Sequence, residues 1–196
     1  MGCRMAVDGC DKQVFRFDFM PNAQDGLKIE LVDTVDTKEL IRAAEKAACS
    51  IYVGFLSGRQ HVPTLHKNAA GEYKGYNGES VEQIQPMDTA ELARQLHFGT
   101  ATIPARPFLE EGVMSKEKEI YAAFEEEAKK AVDGGSANWD KIGTMAVGAV
   151  QEFVRGDHYK STIPNSQKTI DYKGSDKPLI DGGDLINSLE FLVEDK

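Results

Sequence analysis

The chain has 196 residues, 41% hydrophobic and 28% charged, with a formal net charge of -9 at pH 7, a length enough for one domain with a real core, or one domain plus a long excursion. That acidic balance argues against a nucleic-acid binder, whose affinity rests on a basic patch that neutralises phosphates; the nearest thing, Lys67 to Lys74, is sparse. No apolar run is long enough to span a membrane.

The opening MGCRMAVDGC lacks the apolar stretch of a secretory signal, and Ala6 breaks the myristoylation pattern that Met1-Gly2 begins. Residues 1–12 read as a loose N-terminus. Cys3, Cys10 and Cys49 have no metal spacing and read as reduced thiols of a cytoplasmic protein, with Cys49 on an alanine-rich helix face.

Val14-Phe15-Arg16-Phe17-Asp18-Phe19 alternates with three phenylalanines on one face, the pattern of a half-buried strand. A turn-rich break follows at 21–26, and Leu27 to Leu31 alternates again, so the two runs can form a hairpin. Asp36 or Thr37 can cap a helix whose stripe is Leu40, Ile41, Ala44, Ala47 and Ala48. Ile51 to Phe55 reads as a third strand. Residues 57–87 then lose all periodicity and carry many Gly, Pro and Asn. So long a structureless stretch is unusual in a compact domain, and it reads as an arm projecting from the body, with two short extended pieces that can pair.

Asp88-Thr89-Ala90-Glu91 has a cap-and-glutamate signature, with Leu92 and Leu96 on one face after it and Gly99 as the stop. Pro104 and Pro107 flank a stiff link, and Pro107 suits the first position of a helix running to about Val132. Val113, Ile120, Phe124, Ala128 and Ala131 are its inward residues. Gly134-Gly135 ends it. Ser136 caps the next helix, with Trp139, Ile142, Ala146, Ala149, Val150 and Phe153 at helical spacing and Gly156 closing it. Residues 157–183 read as loop, and Leu189, Phe191 and Val193 alternate in a terminal strand. The expected architecture is one α+β domain over 1–196: a mainly antiparallel sheet of about four strands covered by helices, with a long projecting arm.

No catalytic constellation announces itself. His61 and His66 lie five apart without a Cys or acidic ligand beside them and read as solvated loop histidines rather than metal ligands. His97, near a helix end, is placed for a cation facing the dipole. Asp181-Gly182-Gly183-Asp184 lacks the surroundings of a phosphate or calcium loop and reads as a turn with Asp184 capping a short helical turn. Glu110-Glu111 and Glu125-Glu126-Glu127 sit among lysines and read as a solvated face. Ser188 lacks a nucleophile elbow. The expectation is therefore a protein that is not an enzyme, with no cofactor and no metal.

Two segments stand apart: His97-Phe98-Gly99-Thr100-Ala101-Thr102-Ile103-Pro104-Ala105-Arg106-Pro107-Phe108-Leu109, and Thr169 to Ser188 with its Lys173-Gly174-Ser175 and Pro178-Leu179-Ile180-Asp181 runs. Together, in order and spacing, they resemble the tail-completion or neck (head–tail joining) proteins of long-tailed bacteriophages. The likeness covers about 88–194. His97 stands where that family usually has an acidic residue, and Gly183 alters its Asp-Thr-Gly. The resemblance implies a virion protein, assembled in the host bacterial cytoplasm, that forms a six-fold ring with copies of itself. Such a ring contacts the head connector or stopper proteins on one side and the tail tube protein on the other, and DNA passes through its channel without specific binding. Phe98, Ile103, Pro104, Arg106, Pro107 and Phe108 are the interface candidates, because stiff proline-flanked segments with exposed aromatic and arginine side chains suit interfaces. For Phe108 core packing is the competing role. The alternatives are another structural tail protein, such as a tube or minor tail subunit, and a hydrolytic enzyme.

Overall fold

The computed structural model describes residues 14–17, 49–55, 59–61, 63, 65–67 and 70–195. Strand β1 (Val14–Phe17) pairs antiparallel with β2 (Cys49–Phe55), which pairs antiparallel with β7 (Leu189–Asp195), giving the order β1-β2-β7. The register sets Phe15 opposite Val53 and Phe17 opposite Ile51, and brings Val53 and Ile51 opposite Phe191 and Val193. The alternation of the N-terminal and C-terminal runs thus maps onto one sheet, with β2 buried along almost its whole length at its centre.

Among the described residues two two-residue ladders lie outside this sheet: β3 (Gln60–His61) with β6 (Met87–Asp88), and β4 (His66–Lys67) with β5 (Tyr73–Lys74). The helices are α1 (Thr89–Phe98), α2 (Phe108–Met114), α3 (Glu117–Val132), α4 (Trp139–Arg155), α5 (His158–Thr162), α6 (Gln167–Lys173) and α7 (Asp184–Asn187), with a 3-10 turn at Val81–Gln83.

Helix α4 lies on the sheet and organises the core. Its buried residues Trp139, Ile142, Ala146, Ala149, Val150 and Val154 recur at helical spacing. A Cβ on Gly143 would stand 2.2 Å from the Phe191 ring, so glycine is what lets α4 approach β7 this closely. The main cluster joins Val53, Phe55, Phe108, Leu109, Val150, Val154, Leu185, Ile186 and Leu189. A second unites Cys49, Ile51, Ala123, Ala131, Trp139 and Ile142, with the Phe124 and Trp139 rings 5.2 Å apart. Glu127, almost fully buried, ties α3 to the start of α4 by accepting from Asn138 N–H (2.9 Å) and Lys130 Nζ (2.9 Å).

Several expectations change. The sheet has three strands among the described residues; Leu27 to Leu31, the 36–48 helix and residues 1–12 lie outside them. Cys49 is the buried first residue of β2, not part of a helix. The long helix to Val132 is broken at Ser115 and Lys116, where both residues' N–H groups turn back to the end of α2. Asn138 rather than Ser136 caps α4, its side chain accepting from Lys141 N–H. The stretch 157–183 holds two short helices, α6 capped by Ser166 and stopped by Gly174 in the left-handed conformation. Glu127 is no solvated carboxylate, although Glu125 and Glu126 are exposed.

The 57–87 segment does not stand away from the body. Its described residues fold back onto 166–184: His66 Nε2 meets Asp181 Oδ1 at 2.9 Å, and Tyr76 Oη meets Thr169 Oγ1 at 3.2 Å. A stretch without periodicity carries no apolar face to dictate such docking; side-chain hydrogen bonds between residues far apart in sequence do it.

Candidate functional site

The two segments singled out in the sequence meet in the fold. Helix α1 starts at the Asp88 cap, whose carboxylate accepts from Ala90 N–H at 2.8 Å. Thr89 ties the same end to the strand side of the domain, donating both its N–H (2.9 Å) and its hydroxyl (2.8 Å) to the Arg59 carbonyl. Ala90, Ala93 and His97 form the buried stripe, while Leu92 and Leu96 are only half-buried.

Gly99 ends α1 at φ 77°, and a Cβ there would lie 2.7 Å from Ala105 N and 2.8 Å from Ile103 O. Both the left-handed backbone and the close approach therefore require glycine. Beyond it the loop closes on itself. Thr100 N–H donates to Ile103 O (2.8 Å), and the Thr100 hydroxyl accepts from Ile103 N–H (3.1 Å) and Thr102 N–H (3.3 Å). Arg106 N–H returns to Leu96 O at 3.0 Å. Pro107, at φ -74° and ψ 56°, is the centre of an inverse γ-turn closed by Phe108 N–H to Arg106 O (2.7 Å). Pro107 thus precedes α2 instead of forming its first residue.

Arg106 is the brace. It is 4% exposed, and its Nε donates to Ile163 O (3.0 Å) and its Nη2 to Pro164 O (3.2 Å), carbonyls at the exit of α5. Burial lowers its affinity for a proton, against the field of Tyr159. Tyr159, buried beside it, donates to Glu111 Oε2 at 2.5 Å; burial first, then the Glu111 hydrogen bond and charge, push the phenol up. Phe108 is 2% exposed and packs edge-on against Phe55 (6.1 Å) and His97 (5.6 Å). It shares its pocket with Val150, Leu185, Ile186 and Leu189, so the apolar ends of both segments close one core.

The six interface candidates therefore divide. Arg106 and Phe108 face inward: the guanidinium is spent on carbonyls of its own chain and the phenylalanine on its own core. Pro107 and Ile103 are half-buried. Phe98 is 50% exposed and Pro104 is exposed, beside exposed Ala101, Thr102 and Ala105. The result is a stiff loop, locked from beneath, that displays a small apolar tip to solvent.

His97 is not the solvent-facing cation expected at a helix end. It is 2% exposed, and burial lowers its pKa to about 4, with the Glu111 charge opposing, so at neutral pH it is uncharged. Phe98 and Phe108 stack edge-on against its ring.

The second segment turns around Leu179, the one non-glycine residue with positive φ (60°) among the described residues, and Gly183 at φ 91°. Lys173 donates to Lys177 O (2.9 Å), and Lys177 to Arg155 O (3.1 Å), so lysines satisfy carbonyls at and beyond the helix C-termini. Asp184 opens α7 rather than capping it; Gly183 holds the cap position. Its carboxylate meets His61 Nδ1 at 3.2 Å, as Asp181 meets His66. The histidines read as solvated are thus partnered across the fold. Among the described residues no group of three or more His, Cys, Asp or Glu side chains is arranged to hold a metal ion. Ser188 donates to Asp184 O (2.7 Å) and Leu185 O (3.1 Å), closing the turn behind α7.

Sequence alone missed the Arg106 brace, the buried His97 and both His–Asp contacts. Each joins residues more than fifty apart or depends on burial, which no local pattern announces. No family model, no curated protein and no solved structure matches the chain. No helix among the described residues is long and apolar enough to cross a membrane.

Proposed function

We propose that this protein is a structural subunit of a tailed-bacteriophage virion, one copy in a ring at the neck that completes the tail and joins it to the head connector. The observation that carries the reading is the 98–105 loop. Its sequence bears the resemblance, and its backbone is locked by Gly99, Thr100 and the Arg106 brace while Phe98 and Pro104 stay exposed and Ile103 half-exposed. A loop already held in one shape loses little entropy when a partner covers it, the condition under which a small apolar tip contributes to association. In this reading Arg106 and Phe108 hold the loop, and Phe98, Ile103 and Pro104 make the contact with the neighbouring copy.

The net charge of -9 suits a channel through which DNA slides without sticking, with acidic side chains toward the lumen. The head connector or stopper lies on one face of the ring and the tail tube on the other. Copy number and position in purified particles test the assignment. A single ring's worth of protein at the head–tail junction supports it. Copies distributed along the tail would make the protein a tube subunit, and absence from particles would remove the structural reading.

A further inference from the structure

We propose that the 98–105 loop is an acid-released latch with His97 as its trigger: the imidazole takes up a proton only as the loop lifts away from it.

The burial of His97 depends on the loop. The residue stands in the last turn of α1, immediately before Phe98 and the Gly99 turn. Its ring meets the Phe98 ring edge-on at 4.7 Å and the Phe108 ring at 5.6 Å. With both in place His97 is 2% exposed, although Phe98 itself is 50% exposed. Part of the cover is therefore an aromatic ring at the boundary with water, and it moves with the loop.

The fastening of the loop is local. Thr100 N–H donates to Ile103 O, the Thr100 hydroxyl accepts from Ile103 and Thr102 N–H, and Arg106 N–H donates to Leu96 O. None of residues 98–105 belongs to either apolar cluster, so lifting them leaves Phe108 and Leu109 in the core. Gly99, already at φ 77°, supplies the hinge. Opening breaks the Arg106 bond to Leu96 O, a carbonyl in the last turn of α1, and the freed negative end of the helix favours a cation beside it.

Few charged groups compete for this imidazole. Glu111 of α2 favours the imidazolium, but its carboxylate already accepts from Tyr159 Oη at 2.5 Å and stands 3.6 Å from His158 Nε2, both of α5. Arg106 is spent on the Ile163 and Pro164 carbonyls, and on α1 Arg94 is tied to Glu91. Arg59, His61 and Asp88 meet α1 at its opposite end, where Asp88 caps the helix and Arg59 O accepts from Thr89. Burial outweighs Glu111 and holds the closed imidazole at about 4, below its ordinary 6.5. Released into water it regains the ordinary value, so linkage makes the opening constant of the loop about tenfold larger at pH 5.5 than at pH 8. In the ring read above the same proton parts neighbouring copies, while the latch itself is measured on the chain whether or not rings form.

Native-state hydrogen exchange on the full chain tests this. The amides of Thr100, Thr102, Ile103 and Arg106, corrected for intrinsic rate, should exchange about tenfold faster at pH 5.5 than at pH 8. The acceleration should not vary with low concentrations of urea, because a local opening exposes little surface. It should vanish in His97→Leu and in His97→Gln, and persist in His158→Gln. A response that survives both His97 variants, that disappears in His158→Gln, or that follows urea as steeply as the β2 amides would overturn the latch. Titration of the unmodified protein by NMR needs no variant to fold: the His97 ring protons should shift with a midpoint below pH 5, and a midpoint near 6.5 would overturn the proposal.

Discussion

Two phenylalanines ten residues apart separate the roles assigned to the loop. Phe108 is 2% exposed, between Phe55, His97 and the core of α4 and α7. Truncating it to Ala leaves a cavity the neighbours cannot fill, so Phe108→Ala should cost about 3–5 kcal/mol of unfolding free energy. Phe98 keeps 50% of its surface in water and touches the His97 ring at one edge. Scaling the roughly 1.5–3 kcal/mol of a fully buried aromatic by half, Phe98→Ala should cost about 1 kcal/mol. Urea denaturation followed by circular dichroism measures both. Sedimentation velocity on folded Phe98→Ala then reads assembly, where removal of a central aromatic anchor is expected to weaken association by about 2 kcal/mol, some thirtyfold. A Phe98→Ala protein that assembles like the parent would refute the loop as the contact surface. A Phe108→Ala protein of parental stability would refute the packing argument itself.

Three further outcomes follow from the same geometry. Arg106→Ala removes an almost fully buried side chain and its hydrogen bonds to the Ile163 and Pro164 carbonyls, so denaturation should show a loss of about 1.5–3 kcal/mol that Arg106→Lys does not restore, because one ammonium cannot reproduce the paired geometry. His97 has a folded pKa lowered from 6.5 to about 4. The folded state therefore holds it neutral while the unfolded chain takes up a proton: its contribution is complete above pH 6.5 and is lost as pH falls toward 4, by up to about 3 kcal/mol. Stability measured at pH 7 and pH 4 should show a smaller difference in His97→Leu than in the parent. Gly143→Ala drives a methyl into Phe191 and should cost about 1–3 kcal/mol in thermal or chemical unfolding; an unchanged midpoint would contradict the close packing of α4 on β7.

Much of the framework was legible because local rules and tertiary packing agree. The alternation near the end of the chain and the apolar run from Ile51 to Phe55 are strands that pair in one sheet, the second buried at its centre. Asp88, Gly99 and Gly156 mark helix ends because caps and stops are local chemistry. What escaped depends on contacts across the fold. Arg106 reads as a surface residue until α5 brings its carbonyls within reach. His61 and His66 look solvated until the arm meets Asp184 and Asp181. The 157–183 stretch looks irregular because α5 and α6 are too short to show an apolar period, and α6 is defined by Ser166 and Gly174 at its two ends. Of the candidate surface, Phe98, Ile103 and Pro104 keep solvent exposure, whereas Arg106 and Phe108 are consumed by the fold that supports them.

The central claim is that copies of this chain close into one ring at the head–tail junction. Its most direct test is the mass of the purified full-length protein by multi-angle light scattering, paired with imaging of intact particles. The account predicts one discrete closed-ring mass in solution, or one ring's density at the junction of each particle. A protein that stays monomeric at every concentration and is absent from particles would contradict it.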